Sequence, residues 1–246
     1  MGPLEAETGQ VADGGGEMSG IFDKCFVSVF AGEELDSVPS AERVCVGGDG
    51  DGLTSLAVAR EDVLRQVVGL GPGRSPGPDG VFAGVLGECG GELCGPLSTM
   101  FDESMESGGV PEFWGVAGVM PVFGRGDGSL ASSYRPVGLA SVVGGLLESV
   151  MADGVRLHLE KHKLMVESQH GFVDGRSCLT SLLSFCSSIV EAVDGGGGCD
   201  VVCLDFGRAF DAVPHGGLVG EMESRGVGGA ILGWIGAWLC RGKQRV

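Results

Sequence analysis

The chain has 246 residues, 43% of them apolar and 20% charged, and a net charge of −17 at neutral pH. That length corresponds to one or two domains of ordinary size, and the apolar share is enough to bury a core, which excludes wholesale disorder. The acid excess argues against nucleic-acid binding, because phosphate contacts are made by Lys and Arg, of which there are 16.

No apolar run approaches the ~20 residues of a membrane span. The N-terminus also lacks the basic and apolar pattern of a secretory signal. A cytoplasmic or nuclear chain without membrane contact is therefore expected. Nine cysteines are scattered with no Cys-x-x-Cys pair and no zinc spacing. They read as free thiols behaving like small hydrophobes.

The chain opens with a Gly-rich, acidic lead-in over residues 1–18. Ile21 to Phe30 carries apolar residues near helical spacing. A loop follows over 32–58, and its acidic run Gly47 to Gly52 lacks the ligand pattern of an EF-hand. A short helix is predicted over 60–68. Gly71 to Gly80 breaks regular structure, and with no Gly-Lys-Ser/Thr it is not a phosphate-cradling P-loop. Two helices are predicted over 81–88 and 91–107, the second ended by Gly108 and Gly109. Val116 to Phe123 reads as a strand, with a tight turn over 124–128. Long helices follow over 141–162 and 177–193, the latter closed by Gly195 to Gly198. Val201 to Leu204 reads as a short buried strand leading into Asp205, and helices over 215–224 and 229–240 complete an alternation that is α/β or α+β.

The composition is skewed. Gly accounts for 48 residues, while Asn is absent and Lys, Ile and Thr occur four times each. The depleted residues have adenine-rich codons, and A-to-G change converts Lys, Glu or Asp to Gly, Ile to Val, Thr to Ala and Tyr to Cys. This pattern suggests a nucleotide-level bias laid over an ordinary coding sequence. Normal adenine usage at first and second codon positions would sink that idea. Glycine within helices is destabilising, so Gly144, Gly145 and Gly154 are expected to weaken the 141–162 helix.

The sharpest local feature is Val201 to His215. A carboxylate at the end of a buried strand is held rigidly near solvent, where a Mg²⁺ ligand for phosphoryl transfer belongs. A turn or N-cap acid is the alternative reading of Asp205.

The segment Leu204-Asp205-Phe206-Gly207-Arg208-Ala209-Phe210-Asp211-Ala212-Val213-Pro214-His215 resembles motif A of non-LTR retrotransposon reverse transcriptases, of LINE type and jockey- or CR1-like. There the pattern is Leu-Asp-Phe-Ser-Lys-Ala-Phe-Asp-x-Val-Pro-His. Other family blocks stand in order: Gly77-Pro78-Asp79-Gly80, then Val110 to Trp114, Pro121 to Asp127 and Tyr134 to Leu139 in the fingers. Gln169 to Cys178 and Gly233 to Val246 also correspond to family blocks, and Phe26 to Phe30 resembles the linker ahead of the polymerase domain.

The resemblance implies an α+β fold, the fingers and partial palm of a right-hand polymerase, truncated before the second catalytic motif. Residues 1–75 would be an N-terminal linker and 76–246 a partial reverse transcriptase domain. Asp205 would be the catalytic metal ligand for Mg²⁺, with the Phe206 backbone carbonyl beside it. Phe210 would lie under the incoming sugar, and Arg125 and Arg135 would neutralise the triphosphate. Gln169, Gly171, Phe172 and Arg176 would line the template and nucleotide side. Core packing is the other reading of Phe172 and Phe210. RNA template, DNA primer and dNTP are the partners implied for the intact parent, with weak or no nucleic-acid binding by this acidic chain.

Several positions depart from the family pattern. The fingers loop has lost one cation at Gly124, and Val173-Asp174 stands where basic residues are usual. Gly207 replaces Ser and Cys203 replaces Tyr, while Arg208 keeps the cation. The Ala-Asp-Asp motif is not among the 246 residues, so the expected function is an RNA-directed DNA polymerase present as an inactive fragment. The alternatives are a non-catalytic binding remnant and a pseudogene product without function.

Overall fold

The computed structural model describes residues 4–5, 11–28, 51–206, 210 and 213–246. Phe30, Cys45, most of the loop over 32–58 with Gly47 to Gly50 of its acidic run, and the motif residues Gly207, Arg208 and Asp211 lie outside the described residues.

Two cores organise the molecule. The larger is helical. It joins α2 (Arg60–Val68), α3 (Ala83–Glu88), α4 (Gly90–Ser107), α5 (Val142–Lys161) and α8 (Gly229–Arg241). Val63 and Val67 recur at helical spacing on α2 and are buried, as are Phe101 on α4, Leu147 on α5 and Trp234 on α8. Trp234 donates its indole N–H to Ser104 Oγ at 3.0 Å, so its polar edge is satisfied inside the core. α4 ends at Gly108 with φ of 63°, the left-handed cap anticipated from the Gly-Gly pair. Ser141 caps α5, accepting from the Gly144 N–H at 3.2 Å.

Gly144 has a packing role besides its cost to the helix. A Cβ there would meet Trp238 at 3.1 Å and Trp114 at 3.2 Å, so its missing side chain admits two indoles against the helix. Gly77 plays a similar part in the Gly77 to Gly80 turn. A Cβ there would lie 2.6 Å from the Ala140 carbonyl, so only glycine lets this turn cross the start of α5.

The smaller core forms around a sheet of order β4-β3-β5, built from β3 (Val116–Phe123), β4 (Tyr134–Leu139) and β5 (Lys243–Arg245). β3 and β4 are antiparallel, with Met120 opposite Val137 and Phe123 opposite Tyr134. β5 runs parallel to β3, Ala117 facing Gln244. Helix α1 (Gly15–Val27) lays Phe22 and Phe26 onto this hairpin, where Phe22 meets Tyr134 edge-on at 5.0 Å. A two-stranded ladder, β1 (Leu4–Glu5) with β2 (Val11–Ala12), adds Leu4 to the same cluster.

No break in packing falls at residue 75. α2 shares the large core with α4 and α5, and Leu53 bridges to Val227 beside α8. Among the described residues no helix is long and apolar enough to cross a membrane.

Two elements stand apart from both cores. Helix α6 (Cys178–Asp194) buries none of its residues. Residues 201–206 form no strand, and Val202, Leu204 and Phe206 are exposed. The expected buried strand before Asp205 is therefore corrected. A strand requires a hydrogen-bonded neighbour, and none of the described strands borders this run. The cysteines need a similar correction. Of the eight described, Cys94 alone is buried, Cys25 is intermediate, and the other six are exposed free thiols.

Candidate nucleotide and template site

The sequence-predicted residues fall into three groups. The first is the β3–β4 hairpin. Its connection is set by local chemistry: the Asp127 carboxylate accepts from the Ser129 N–H at 2.9 Å and from the Ser129 hydroxyl at 2.8 Å. The Ser129 amide, and then its hydroxyl, hold the Asp127 carboxyl below its usual value. Gly126 takes a positive φ of 102°, and Tyr134 donates its hydroxyl to the Gly128 carbonyl at 2.8 Å. On this fixed turn Arg125 and Arg135 are both exposed, and neither has an ion-pair partner among the described residues. Two unpaired guanidinium groups on one rigid hairpin can receive anionic oxygens.

The second group is the loop between α5 and α6. Arg176 donates to the carbonyls of Glu167 and of Gln169, the latter at 2.6 Å. Gln169 in turn donates to the Gly171 carbonyl at 3.2 Å. The His170 ring lies 2.9 Å from Thr180 Oγ1, tying the loop to the start of α6. Arg176 therefore holds the shape of this loop. Phe172 sits at φ of 58°, in the left-handed region that side chains other than Gly rarely occupy. Phe172 and Phe210 are both exposed, so the reading of them as core aromatics is overturned. Their rings meet each other.

The third group is Asp205 and Phe206, exposed in the irregular run that leads into motif A. No hydrogen bond or ion pair among the described residues engages Asp205. No group of three His, Cys, Asp or Glu side chains able to hold a metal forms among the described residues. One carboxylate and one carbonyl fall short of the oxygen set that holds Mg²⁺ without substrate phosphates, so these residues alone do not fit the ion.

Sequence reasoning missed Arg156. From α5 it bonds Asp153 at 2.9 Å and reaches across to Asp174 at 2.8 Å. The Asp153–Arg156 spacing on one helix face was visible in the sequence, but the reach to Asp174 was not. Asp174, an acid where the family pattern has cations, is thus the anchor of the loop. Beside it lies a cavity of about 760 Å³ with walls from Met151, Met165, Phe172, Met222, Trp234 and Trp238. Glu148 sits at its rim, open to solvent on one side. Crowding on the other side raises its carboxyl above the usual value, opposed by a hydrogen bond from Trp238 and the charge of Arg74.

Residues 125–246 match the family described as "Reverse transcriptase (RNA-dependent DNA polymerase)". The chain is also similar to the "Probable RNA-directed DNA polymerase from transposon BS" of Drosophila melanogaster, 24% identical over 164 residues. That similarity covers 66% of this chain and 18% of the relative, so the chain spans under a fifth of that protein's length. The segment matched by the family contains all nine positions singled out above, from Arg125 to Phe210. Over these residues the chain is similar to reverse transcriptases.

Proposed function

We propose that this chain carries the nucleotide and template side of an RNA-directed DNA polymerase from a LINE-type, jockey-like non-LTR retrotransposon. Residues from about 76 onward would form its fingers and partial palm. The observation that carries the reading is the contact of Phe172 with Phe210. It joins two segments, distant in sequence, that the family pattern assigns to one nucleotide-binding surface. Arg125 and Arg135 would neutralise the incoming triphosphate, and Arg176 and Gln169 would hold the loop that presents Phe172. Asp205 would contribute one metal-binding carboxylate in the intact parent, where a bound Mg²⁺ would supply charge neutralisation at the phosphates. Two-metal chemistry needs further carboxylates beside Asp205. A cytoplasmic or nuclear setting suits this role.

Fluorescence anisotropy with a labelled RNA–DNA template-primer tests the proposal, with primer extension measured in parallel. Expected is weak binding that falls with salt. Removing Arg125 or Arg135 should lower the salt slope by up to about 1 for each phosphate left unneutralised. Binding that ignores salt and both substitutions would overturn this reading and favour a remnant without nucleic-acid function.

A further inference from the structure

Two residues other than glycine take a positive φ among the described residues, Lys163 at 53° and Phe172 at 58°. Both lie in the loop between α5 and α6, Lys163 at its start. A left-handed angle on such residues persists only where the surroundings impose it. Lys163 follows the C-cap of α5 in a Schellman turn. There the Leu164 amide donates to the Leu159 carbonyl at 2.9 Å and the Lys163 amide to the Glu160 carbonyl at 3.0 Å. Helix α7 (His215–Ser224) ends in the same turn, the Val227 amide donating to the Met222 carbonyl, but its left-handed position is Gly226. Lysine at the matching place in α5 is strained, and what holds it comes from α7.

Arg225, the C-cap residue of α7, supplies the hold. Its guanidinium donates to the Leu164 carbonyl at 2.8 Å, directly beside Lys163. Two more of its nitrogens close on Glu221 at 2.7 and 2.6 Å, which fixes the direction of the side chain. The Arg225 carbonyl faces Nε2 of the buried His158 on α5 at 2.8 Å. A carbonyl only accepts, so that ring nitrogen carries the proton. Arg225 is thus tied to the end of α5 by its backbone and to the start of the loop by its side chain. Within the loop, the amides of residues 165–176 make two backbone bonds among the described residues, Gln169 to Val166 and Arg176 to Val173. The segments before and after motif A therefore touch twice, at Phe172 with Phe210 and at Leu164 with Arg225.

We propose that Arg225 is a positioning residue, clamping the strained exit of α5 so that the loop presents Phe172 to Phe210. The loop's assignment to the template side rests on the polymerase reading above; the clamp itself does not.

Hydrogen exchange of the full chain, resolved to single amides, tests the clamp alongside template-primer anisotropy. Arg225→Ala should speed exchange of the Leu164, Gln169 and Arg176 amides about tenfold, as loss of one charge-assisted bond implies. The amides of α4 should be unchanged. Adding Lys163→Gly should recover most of the lost protection, because glycine takes the left-handed angle without strain. Template-primer binding by Arg225→Ala should weaken severalfold and keep the parent's salt slope, since this guanidinium faces Glu221 and Leu164 rather than phosphate. Unchanged loop exchange overturns the inference, as does equal acceleration in α4. So does an absence of recovery with Lys163→Gly, or a reduced salt slope. A parent chain that binds no template-primer strikes the polymerase reading instead, and the exchange results still decide the clamp.

Discussion

Phe172 and Phe210 meet edge to face, their ring centroids 6.0 Å apart and their planes at 82°, while remaining 86% and 81% exposed. Two aromatic rings in water touching each other and little else form a surface feature, and their contribution to folding is small. Phe172 is also held at a backbone angle that disfavours it. Phe172→Ala should change stability by less than about 0.5 kcal/mol, the usual range for an exposed site. Phe172→Gly relieves the left-handed strain and should be neutral or stabilising by up to about 1 kcal/mol. Both should weaken template-primer binding. Urea unfolding alongside anisotropy separates the two effects, and a large stability loss in either variant would contradict this account.

The glycines of the helices divide by what surrounds them. At Gly144 an added methyl would press on Trp114 and Trp238, and overpacking costs about 1–3 kcal/mol. At Gly236 on α8 nothing lies within 4 Å, so a methyl there gains about 0.5–1 kcal/mol of helix propensity. Gly144→Ala should therefore lower the melting temperature and Gly236→Ala raise it, which differential scanning calorimetry can show.

Trp234→Phe removes the hydrogen bond to Ser104 and part of a side chain that is 2% exposed. Ser104 keeps its bond to the Gly109 carbonyl at 2.7 Å, so no donor is stranded. The expected loss is about 2 kcal/mol, combining a hydrogen bond and a small cavity. Chemical denaturation measures it directly.

Thiol chemistry should follow burial. Desolvation raises the Cys94 thiol, with Arg60 opposing weakly, and the side chain is fully buried. At mildly alkaline pH, maleimide should label the exposed Cys89, Cys178, Cys199 and Cys203 and spare Cys94 until the protein unfolds. Peptide mapping of the native protein reads the pattern. Rapid native labelling of Cys94 would show that the helical core opens readily.

The hairpin turn carries its own acid limit. The Asp127 carboxyl is held below its usual value of 3.8, so its ordering of the turn is complete above that value. The ordering fades as pH falls through the lowered one. Asp127→Ala should expose the Ser129 amide to hydrogen exchange at neutral pH. The parent protein should reach comparable relative exposure only in acid.

Much of the architecture was legible because it depends on local signals. Arg60–Val68 was anticipated as a short helix, Val116–Phe123 as a strand from β-branched residues before a glycine turn, and the end of α4 from Gly108. The run at Val201 to Leu204 failed for a physical reason: its apolar pattern specifies burial, but burial needs a neighbouring strand that local sequence does not supply. At the site, the resemblance assigned Phe172 to the template and nucleotide side and Phe210 to the position under the incoming sugar, without indicating that their rings would touch. It did not indicate that Arg176 would spend its guanidinium on backbone carbonyls, or that Asp174 would pair with Arg156. Those are long-range partnerships that no spacing rule encodes.

The parallel pairing of β5 with β3 also sets an order of events. β3 and β4 are joined by a short connection and can zip as soon as both exist, whereas Val116 must wait for Lys243, near the far end of the chain. Contacts between such distant segments are slow to form, because a large loop must be closed first. Pulsed hydrogen exchange during refolding should protect the Met120 and Val137 amides before that of Lys243, which donates to the Gly115 carbonyl. The turn bearing Arg125 would then take shape while the last strand is still searching for its edge.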